Sequence, residues 1–201
     1  MKQIMKIAGV CLVASALMWA APPQCKSGSL TDYISLGANG CVFGGIVFAN
    51  FKYSASAKGG APVIKADQIK VDPTEIPTQT ASLKFSAPWS VKSAESQGST
   101  INYTASLPSG DTVPAALALA LGPAEVGSIG SVTVDESTNV GKLEVYDRCT
   151  ELTCQNSAND SFQFTPVSVV LMKSHVSLIG GLGGASLDEF YAQLNLCAPC
   201  V

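Results

Sequence analysis

The sequence predicts a mostly β protein: an antiparallel β-sandwich, jelly-roll-like, with a short N-terminal helix. Short runs of alternating apolar and polar residues recur along the chain, and clusters of Gly, Pro, Asn and Asp separate them. Charged residues make up only 13% of the chain, which is typical of strands and turns rather than of a charged helical bundle. No internal repeat indicates a solenoid.

The N-terminal 21 residues have the layout of a secretory signal peptide. Two lysines precede an uncharged apolar run from Ile7 to Ala21, and two prolines follow it. This run has 15 residues, whereas a membrane-spanning helix needs about 20. We therefore expect residues 1–21 to direct export, with cleavage between Ala20 and Gln24, and residues 22–201 to form one secreted, periplasmic or extracellular domain. A buried N-terminal helix is the alternative.

Cysteine usage agrees with export. Of the seven cysteines, Cys11 lies in the signal, which leaves Cys25, Cys41, Cys149, Cys154, Cys197 and Cys200. An oxidising compartment favours disulfides, and neighbours in the sequence are the simplest partners, although six cysteines allow many pairings. The spacing of the last four cysteines also fits a zinc knuckle, and Cys-Ala-Pro-Cys has the length of a redox-active pair. We predict three disulfides, with no metal and no cofactor.

The first mature elements are a helix and a hairpin. Ser29 can cap a short helix that ends at Gly37, because Leu30, Tyr33 and Ile34 share one face. From Cys41 the period changes to two, and the Gly44-Gly45 pair predicts a turn between two strands. Both faces of Ile46–Phe51 are apolar, so this strand is predicted to be central.

Further strands are predicted at regular intervals. The run Pro114–Leu121 alternates its leucines and is assigned as a strand, although its alanines also favour a helix. The C-terminal stretch is ambiguous because apolar residues from Leu187 to Leu194 have helical spacing and follow a capping box at Ser186 and Glu189, after a glycine-rich, mobile lead-in. The other predicted strands are Val63–Val71, Ser82–Phe85, Trp89–Val91, Thr100–Leu107, Ile129–Val134, Lys142–Tyr146, Ser161–Thr165 and Val167–Lys173.

The charge balance excludes some partners. The chain has 12 basic and 15 acidic residues, so removing Lys2 and Lys6 with the signal leaves 10 against 15. Arg148 is the only arginine. A nucleic-acid binder needs a clustered basic face, and an anionic membrane surface selects the same feature. We therefore expect neither nucleic acid binding nor membrane insertion after cleavage.

No pattern of catalytic residues stands out. His175 is the only histidine, and no Gly-x-Ser-x-Gly nucleophile motif accompanies it, so it is predicted to be a strand-end or turn residue. The adjacent acids Asp135-Glu136 and Asp188-Glu189 would face opposite ways on strands. We therefore expect no enzyme activity, although a dyad of distant carboxylates would leave no local trace.

Two features invite a binding role. The loop from Asp147 to Asp160 is rich in carboxylates and amides, but it lacks the residue order of a calcium loop, which favours a solvated loop pinned by a disulfide. Tyr53, Trp89 and Tyr103 would offer a sugar-stacking platform if they faced outward. Aromatic residues on alternating strands are more often core.

One region carries a family resemblance. The segment Ser29–Tyr53 resembles the secreted N-terminal regions of bacterial proteins that end in a PEP-CTERM sorting tag. The matching elements are Leu30–Gly37, Gly40-Cys41 and Phe48–Tyr53, with later echoes at Trp89, Ile101–Tyr103, Ser131–Glu136 and Phe164–Pro166. The resemblance implies an exported, mostly β domain of the cell envelope or extracellular matrix, and a strand at the C-terminal segment. The tag itself is missing from this sequence, so the resemblance does not extend to sorting.

Two functional expectations follow. The first is a non-catalytic structural or interaction protein of the envelope or extracellular matrix, with envelope proteins as partners. The second is a carbohydrate-binding or adhesive module, with an extracellular glycan as ligand. A hydrolase is a distant third.

Overall fold

The structure, a computed structural model, describes residues 21–76, 80–111 and 116–195. Within these ranges the chain forms one α-helix, one 3-10 helix (Ala66–Gln68) and fourteen strands. In chain order these are β1 (Gly28–Ser29), α1 (Leu30–Ser35), β2 (Cys41–Phe43), β3 (Ile46–Lys58), β4 (Lys70–Ile76), β5 (Thr80–Val91), β6 (Ser96–Ser106), β7 (Ala116–Leu121), β8 (Ala124–Val126), β9 (Ile129–Thr138), β10 (Lys142–Cys149), β11 (Cys154–Ser157), β12 (Asn159–Gln163), β13 (Val169–Leu182) and β14 (Ala185–Asn195).

The strands form two antiparallel sheets that pack face to face. The first sheet has the order β11-β10-β9-β13-β6-β3-β2. The second has the order β1-β4-β5-β14-β7-β12, with β8 also paired to β14. The buried apolar residues of both sheets form one core cluster. The predicted antiparallel β-sandwich with a short N-terminal helix is confirmed.

Aromatic side chains join the two sheets through the core. Ring contacts run from Tyr33 of α1 to Phe51 (5.1 Å between centroids), then to Tyr103 (5.1 Å), Phe85 (6.0 Å), Phe190 (5.0 Å) and Trp89 (5.9 Å). This series crosses from the first sheet to the second between Tyr103 and Phe85. Stacked and edge-on aromatic pairs stabilise beyond the area that they bury.

The N-terminal helix forms where the sequence predicted it. The Ser29 hydroxyl accepts a hydrogen bond from the Asp32 backbone N–H at 3.2 Å, and the Asp32 carboxylate accepts one from the Ser29 N–H at 2.8 Å. These reciprocal bonds satisfy donors that the first helical turn leaves free. Leu30 and Tyr33 are the buried residues of this helix.

Several strands differ in extent from their prediction. The predicted strand Val63–Val71 is wrong in its first part, which is irregular chain and a 3-10 helix, and β4 instead continues through the Asp72-Pro73 pair. The predicted break at Pro88 is also absent, because β5 passes it at a register shift against β14. The strand β3 is internal only over Ile46–Phe48, where the three-residue β2 covers it. The predicted strand at Pro114–Leu121 is confirmed over Ala116–Leu121 as β7, and its first two residues lie outside the described residues.

The helical reading of the C-terminal stretch is wrong. β14 is a strand whose buried residues are Ala185, Leu187, Phe190, Ala192 and Leu194. The register against β5 shifts between Leu187 and Glu189, and this shift produces the single three-residue step that imitated a helix. The glycines before it are ordered: Gly180 and Gly181 belong to β13, and Gly183 and Gly184 turn with positive φ values of 119° and 87°.

The described residues contain two disulfides, and both join cysteines that are consecutive in the sequence. Cys25–Cys41 encloses α1, and Cys149–Cys154 joins the end of β10 to the start of β11. The third predicted pair, Cys197–Cys200, lies outside the described residues, as do residues 1–20 of the expected signal. Among the described helices none has the length and hydropathy of a membrane span.

A carboxylic acid lies inside the core. Glu136 is 1% exposed, accepts a hydrogen bond from the Ser174 hydroxyl, and leaves its Oε1 without a partner. The Tyr103 hydroxyl shares a hydrogen bond with the same serine. Burial raises the pKa of Glu136 to about 8. The adjacent Asp135 faces outward, as expected for neighbours on a strand.

We predict that Glu136 makes stability fall as the pH rises. Its folded pKa of about 8 exceeds its ordinary value of 4.5, so between these values the folded state retains a proton that the unfolded state has lost. The free energy of unfolding should therefore fall by up to about 1.4 kcal/mol per pH unit in this window. In Glu136→Gln, the free energy of unfolding measured in urea should no longer fall with pH in this window. Glu125→Gln removes an exposed carboxylate and should still show this fall. Identical pH profiles for the two variants would contradict the assignment of the fall to Glu136.

Candidate functional site

The outward side of the first sheet is largely polar, with Val169, Leu171 and Ile179 of β13 as exposed apolar residues, and we call it the polar face. Cross-strand pairing places its side chains in rows that run across β10, β9, β13, β6 and β3. One row is Lys142, Ser137, Lys173, Asn102 and Lys52, and the next is Glu144, Asp135, His175, Thr100 and Ser54. Strands lie about 4.8 Å apart, so each row extends for about 19 Å.

The row through His175 combines two acids with the histidine. The His175 Nδ1 lies 2.9 Å from the Thr100 hydroxyl, and Asp135 is its partner on β9. Burial raises the pKa of Asp135, and the neighbouring Glu144 acts in the same direction. Glu144 itself pairs with Arg148, whose guanidinium lies 4.2 Å over the ring of Tyr146. His175 is thus a mid-strand residue, and its predicted place at a strand end or turn is wrong.

A groove of about 460 Å³ lies beside this row. Its floor and walls come from β3, β6, β9 and β13 and the turn after β9. Its lining combines amides, hydroxyls and two ammonium groups with the apolar Leu171 and Met172, and it includes no carboxylate. Tyr103 also lines the groove, but its ring is buried. The remaining polar lining residues are Asn50, Lys52, Asn102, Thr104, Ser137, Thr138, Asn139 and Lys173.

Some of these groups are fixed by the protein, and others are available. Asn139 donates to the Val169 carbonyl at 3.0 Å and accepts from the Leu171 N–H at 2.9 Å, which holds the turn against β13. By contrast, the side chains of Lys52, Asn102 and Lys173 make no hydrogen bond or ion pair with any other residue in the described ranges. The centre of the groove therefore presents donors without an internal partner.

A β-bulge shapes the groove on the β3 side. The pairing of β3 with β6 shifts between Ala49 and Lys52, and Asn50 adopts a left-handed backbone with φ 58°. Asn tolerates this region better than most residues. The Asn50 amide donates to the Thr104 hydroxyl at 3.1 Å, and that hydroxyl donates to the Ala49 carbonyl at 3.2 Å. Bulges commonly redirect side chains near functional sites.

The outward side of the second sheet differs, because its charged groups pair with one another. Lys84 lies 3.8 Å from Asp72 and 3.2 Å from Glu189, and Lys70 lies 2.9 Å from Asp72. Glu189 also accepts hydrogen bonds from Tyr191 and Ser86. These two lysines therefore already have carboxylate partners within the protein, whereas Lys52 and Lys173 of the groove have none among the described residues.

The aromatic residues considered from sequence do not form a surface platform. Trp89 is 1% exposed and Tyr103 is 3% exposed, and both belong to the core. Tyr53 also points inward, where its hydroxyl donates to the Ile64 carbonyl at 2.9 Å and lies 3.0 Å from the Ser99 hydroxyl. The sugar-stacking platform is therefore absent, and the expectation that these residues are core is confirmed.

The acidic loop is divided between strands. Its residues form the end of β10, a turn closed by the Cys149–Cys154 disulfide, and the strands β11 and β12. Asp160 accepts a hydrogen bond from the Glu144 N–H at 2.9 Å. In the part of the chain that the structure describes, no three His, Cys, Asp or Glu side chains are placed to hold a metal ion.

Sequence reasoning missed the groove residues. Lys52 and Lys173 are polar positions in alternating strands, so each was counted only as an exposed strand residue. Asn102 was named in the family resemblance, without a binding role. The three residues meet because of the strand register, in which Lys173 of β13 and Lys52 of β3 both pair with Asn102 of β6. The remaining signal in the sequence was Asn50, a residue that interrupts the apolar run of β3.

Comparisons with known proteins assign no family to the chain. No protein-family model and no curated protein matches the sequence. Several solved structures are distantly similar in part, and three of them are described below. The structure of TmCBM61 with β-1,4-galactotriose is 15% identical, with a TM-score of 0.33, over 70% of this chain and 86% of the other. The enzymatically active domain of tailspike protein 4 of bacteriophage CBA120 is 12% identical, with a TM-score of 0.28, over 71% of this chain and 19% of the other.

The third structure comes from work on carbohydrate-binding modules of the β-sandwich superfamily. It is 7% identical, with a TM-score of 0.23, over 86% of this chain and 61% of the other. Likeness at this level defines no family. The class that the chain itself defines is an antiparallel β-sandwich with a grooved polar face.

We predict that the bulge at Asn50 depends on its backbone conformation. Asn50→Val should lower the free energy of unfolding by about 1–2 kcal/mol, because a β-branched residue is strained at positive φ. Asn50→Gly should retain most of the stability. Ser54→Val, at an extended position of the same strand, is the matched control. Urea unfolding gives the measurement, and equal losses in the Gly and Val variants would assign the effect to the Asn50–Thr104 hydrogen bond instead.

Proposed function

We propose that this protein is an exported, non-catalytic carbohydrate-binding module that binds a glycan in the groove of the polar face. The observation that carries the proposal is the group of unpartnered side chains on Lys52, Asn102 and Lys173, set among hydroxyls and amides. Of the two roles expected from the sequence, glycan binding accounts for this groove and a purely structural envelope role does not.

The lining fits the chemistry of a sugar. Each sugar hydroxyl both donates and accepts hydrogen bonds, and the groove supplies amides that do both and ammonium groups that donate. Leu171, which is 53% exposed, adds an apolar surface for the C–H face of a sugar ring. A few placed polar groups beside apolar surface are typical of small-molecule sites.

The groove is also well supported. Its residues project from paired strands, and the turn after β9 is held by the two hydrogen bonds of Asn139. Groups on rigid elements lose little conformational freedom when a ligand binds. The groove is open along the face, which suits a chain of sugars better than a single enclosed residue.

Export and an extracellular location belong to the same proposal. The signal-like layout of residues 1–21 supports them, and so do the two disulfides, which persist in oxidising compartments. The resemblance to exported PEP-CTERM-type proteins agrees with this location. An extracellular glycan or a glycan of the envelope is the corresponding partner.

We predict that Asn102→Ala weakens glycan binding by about three- to tenfold, the effect of losing one hydrogen bond of about 0.5–1.5 kcal/mol. A glycan array followed by calorimetry on the best ligand gives the measurement. Asn159→Ala removes the same group from the exposed surface of β12 on the second sheet and should leave affinity unchanged. Binding that Asn159→Ala weakens and Asn102→Ala does not would move the site to the second sheet, and no binding to any glycan would overturn the proposal.

We also predict no hydrolysis of the bound glycan. A glycosidase places two carboxyl groups on either side of the scissile bond. Asp135 and Glu144 are opposite each other, but both project from the same sheet face, so they would lie on one side of a glycan. A reducing-end assay across a glycan panel should show no release. Release that is lost in Asp135→Asn and kept in Asp188→Asn, an exposed acid of β14, would contradict this.

A further inference from the structure

The groove has a charge that the composition of the chain does not explain. The chain is acidic, with a formal net charge of −3, yet the groove lining has two lysines and no carboxylate. Lys52 and Lys173 flank Asn102 on the two neighbouring strands. Their Cα atoms are separated by two strand spacings, about 9.6 Å.

Lysines on the second sheet differ from those of the groove because they have carboxylate partners. Lys70 and Lys84, on the second sheet, pair with Asp72 and Glu189. Lys52 and Lys173 pair with no carboxylate in the described ranges, although the acidic row of Asp135 and Glu144 lies directly beside them. Asp135 and Glu144 are therefore on the same face but outside the groove, and Glu144 is occupied by Arg148.

We propose that the groove is specific for an anionic glycan, whose carboxylate or sulfate group lies between Lys52 and Lys173 and accepts a hydrogen bond from the Asn102 amide. This inference rests on the proposed function and names its ligand class. Two ammonium groups on flexible stems converge on one anion or straddle two anionic groups along a chain. Hydrogen bonds between charged partners are about twice as strong as neutral ones.

A nucleic acid is a less suitable occupant. The groove is lined by no arginine, and its lining offers no exposed aromatic ring on which bases would stack, because Tyr103 is 3% exposed. Proteins that bind single strands combine a basic groove with such rings. Nucleic acid therefore serves as a competing ligand in the test.

The test compares two polymers that differ only at C6, where one has a carboxylate and the other a hydroxymethyl group. Polygalacturonate and the same polymer after carboxyl reduction have equal linkage and length, so any preference reports the carboxylate. Calorimetry on the mature protein should show at least about tenfold tighter binding of polygalacturonate, and the preference should shrink as salt rises. Dextran sulfate against dextran forms the second arm. A preference in one arm alone supports the inference and assigns the anion as carboxylate or sulfate.

Matched lysine variants locate the effect. Lys52→Gln and Lys173→Gln should each weaken binding of the acidic polymer by about tenfold and weaken binding of the neutral polymer much less, because glutamine keeps a hydrogen-bond donor and loses only the charge. Lys58→Gln, at an exposed position six residues further along β3, changes net charge equally and should have little effect. Exposed lysines away from core contacts leave folding intact, and thermal unfolding of each variant checks this.

The outcomes separate the two proposals. Equal binding of acidic and neutral polymers overturns the anionic preference and leaves glycan binding standing. Equal losses in all three lysine variants show a general charge effect and also overturn it. Binding of single-stranded DNA as tightly as of the acidic polymers refutes the ligand class. Binding of no polymer overturns the anionic preference together with the proposed function.

Discussion

The chain of aromatic contacts from Tyr33 to Trp89 is the interaction on which the remaining structure depends. It links α1 and the first sheet to β5 and β14 of the second sheet through rings 5.0–6.0 Å apart. Each ring except that of Tyr33, which belongs to α1, occupies an inward position of its strand. Since strand side chains alternate, burying these rings decides which residues of β3, β5, β6 and β14 face solvent.

The polar face is a consequence of that choice. With Phe51 and Tyr103 fixed inside, Lys52 and Asn102 must point outward, and pairing with β13 brings Lys173 beside them. A slip of one residue between β6 and β13 would bury Lys173 and expose Met172, at a cost of several kcal/mol for an unpaired buried charge. The register that builds the core is therefore the same register that assembles the groove.

Local sequence patterns predicted the elements well where a single mechanism controls them. Ser29 caps α1 through a side-chain bond to the next turn, and Gly44-Gly45 supports a turn by positive φ, so both were visible within a few residues. For β14 the local pattern left helix and strand open, and the structure has the strand. A register shift opposite Ala87-Pro88 gives its buried residues one three-residue step, and that shift depends on a strand about a hundred residues away. The groove was invisible for the same reason: Lys52, Asn102 and Lys173 are remote in sequence and meet only through pairing.

The net charge of the chain and the charge of the groove act over different distances. At physiological salt, charges separated by more than about 8 Å are largely screened, so the overall negative charge contributes little to a ligand already in the groove. In the proposed complex the two lysines and the Asn102 amide would decide the interaction, because they would lie at contact distance from the anion. At low salt the screening length reaches about 30 Å, and repulsion from the acidic surface extends to an approaching polyanion. An acidic protein with the proposed site would therefore discriminate at contact and resist indiscriminate coating by polyanions, which a uniformly basic face would not do.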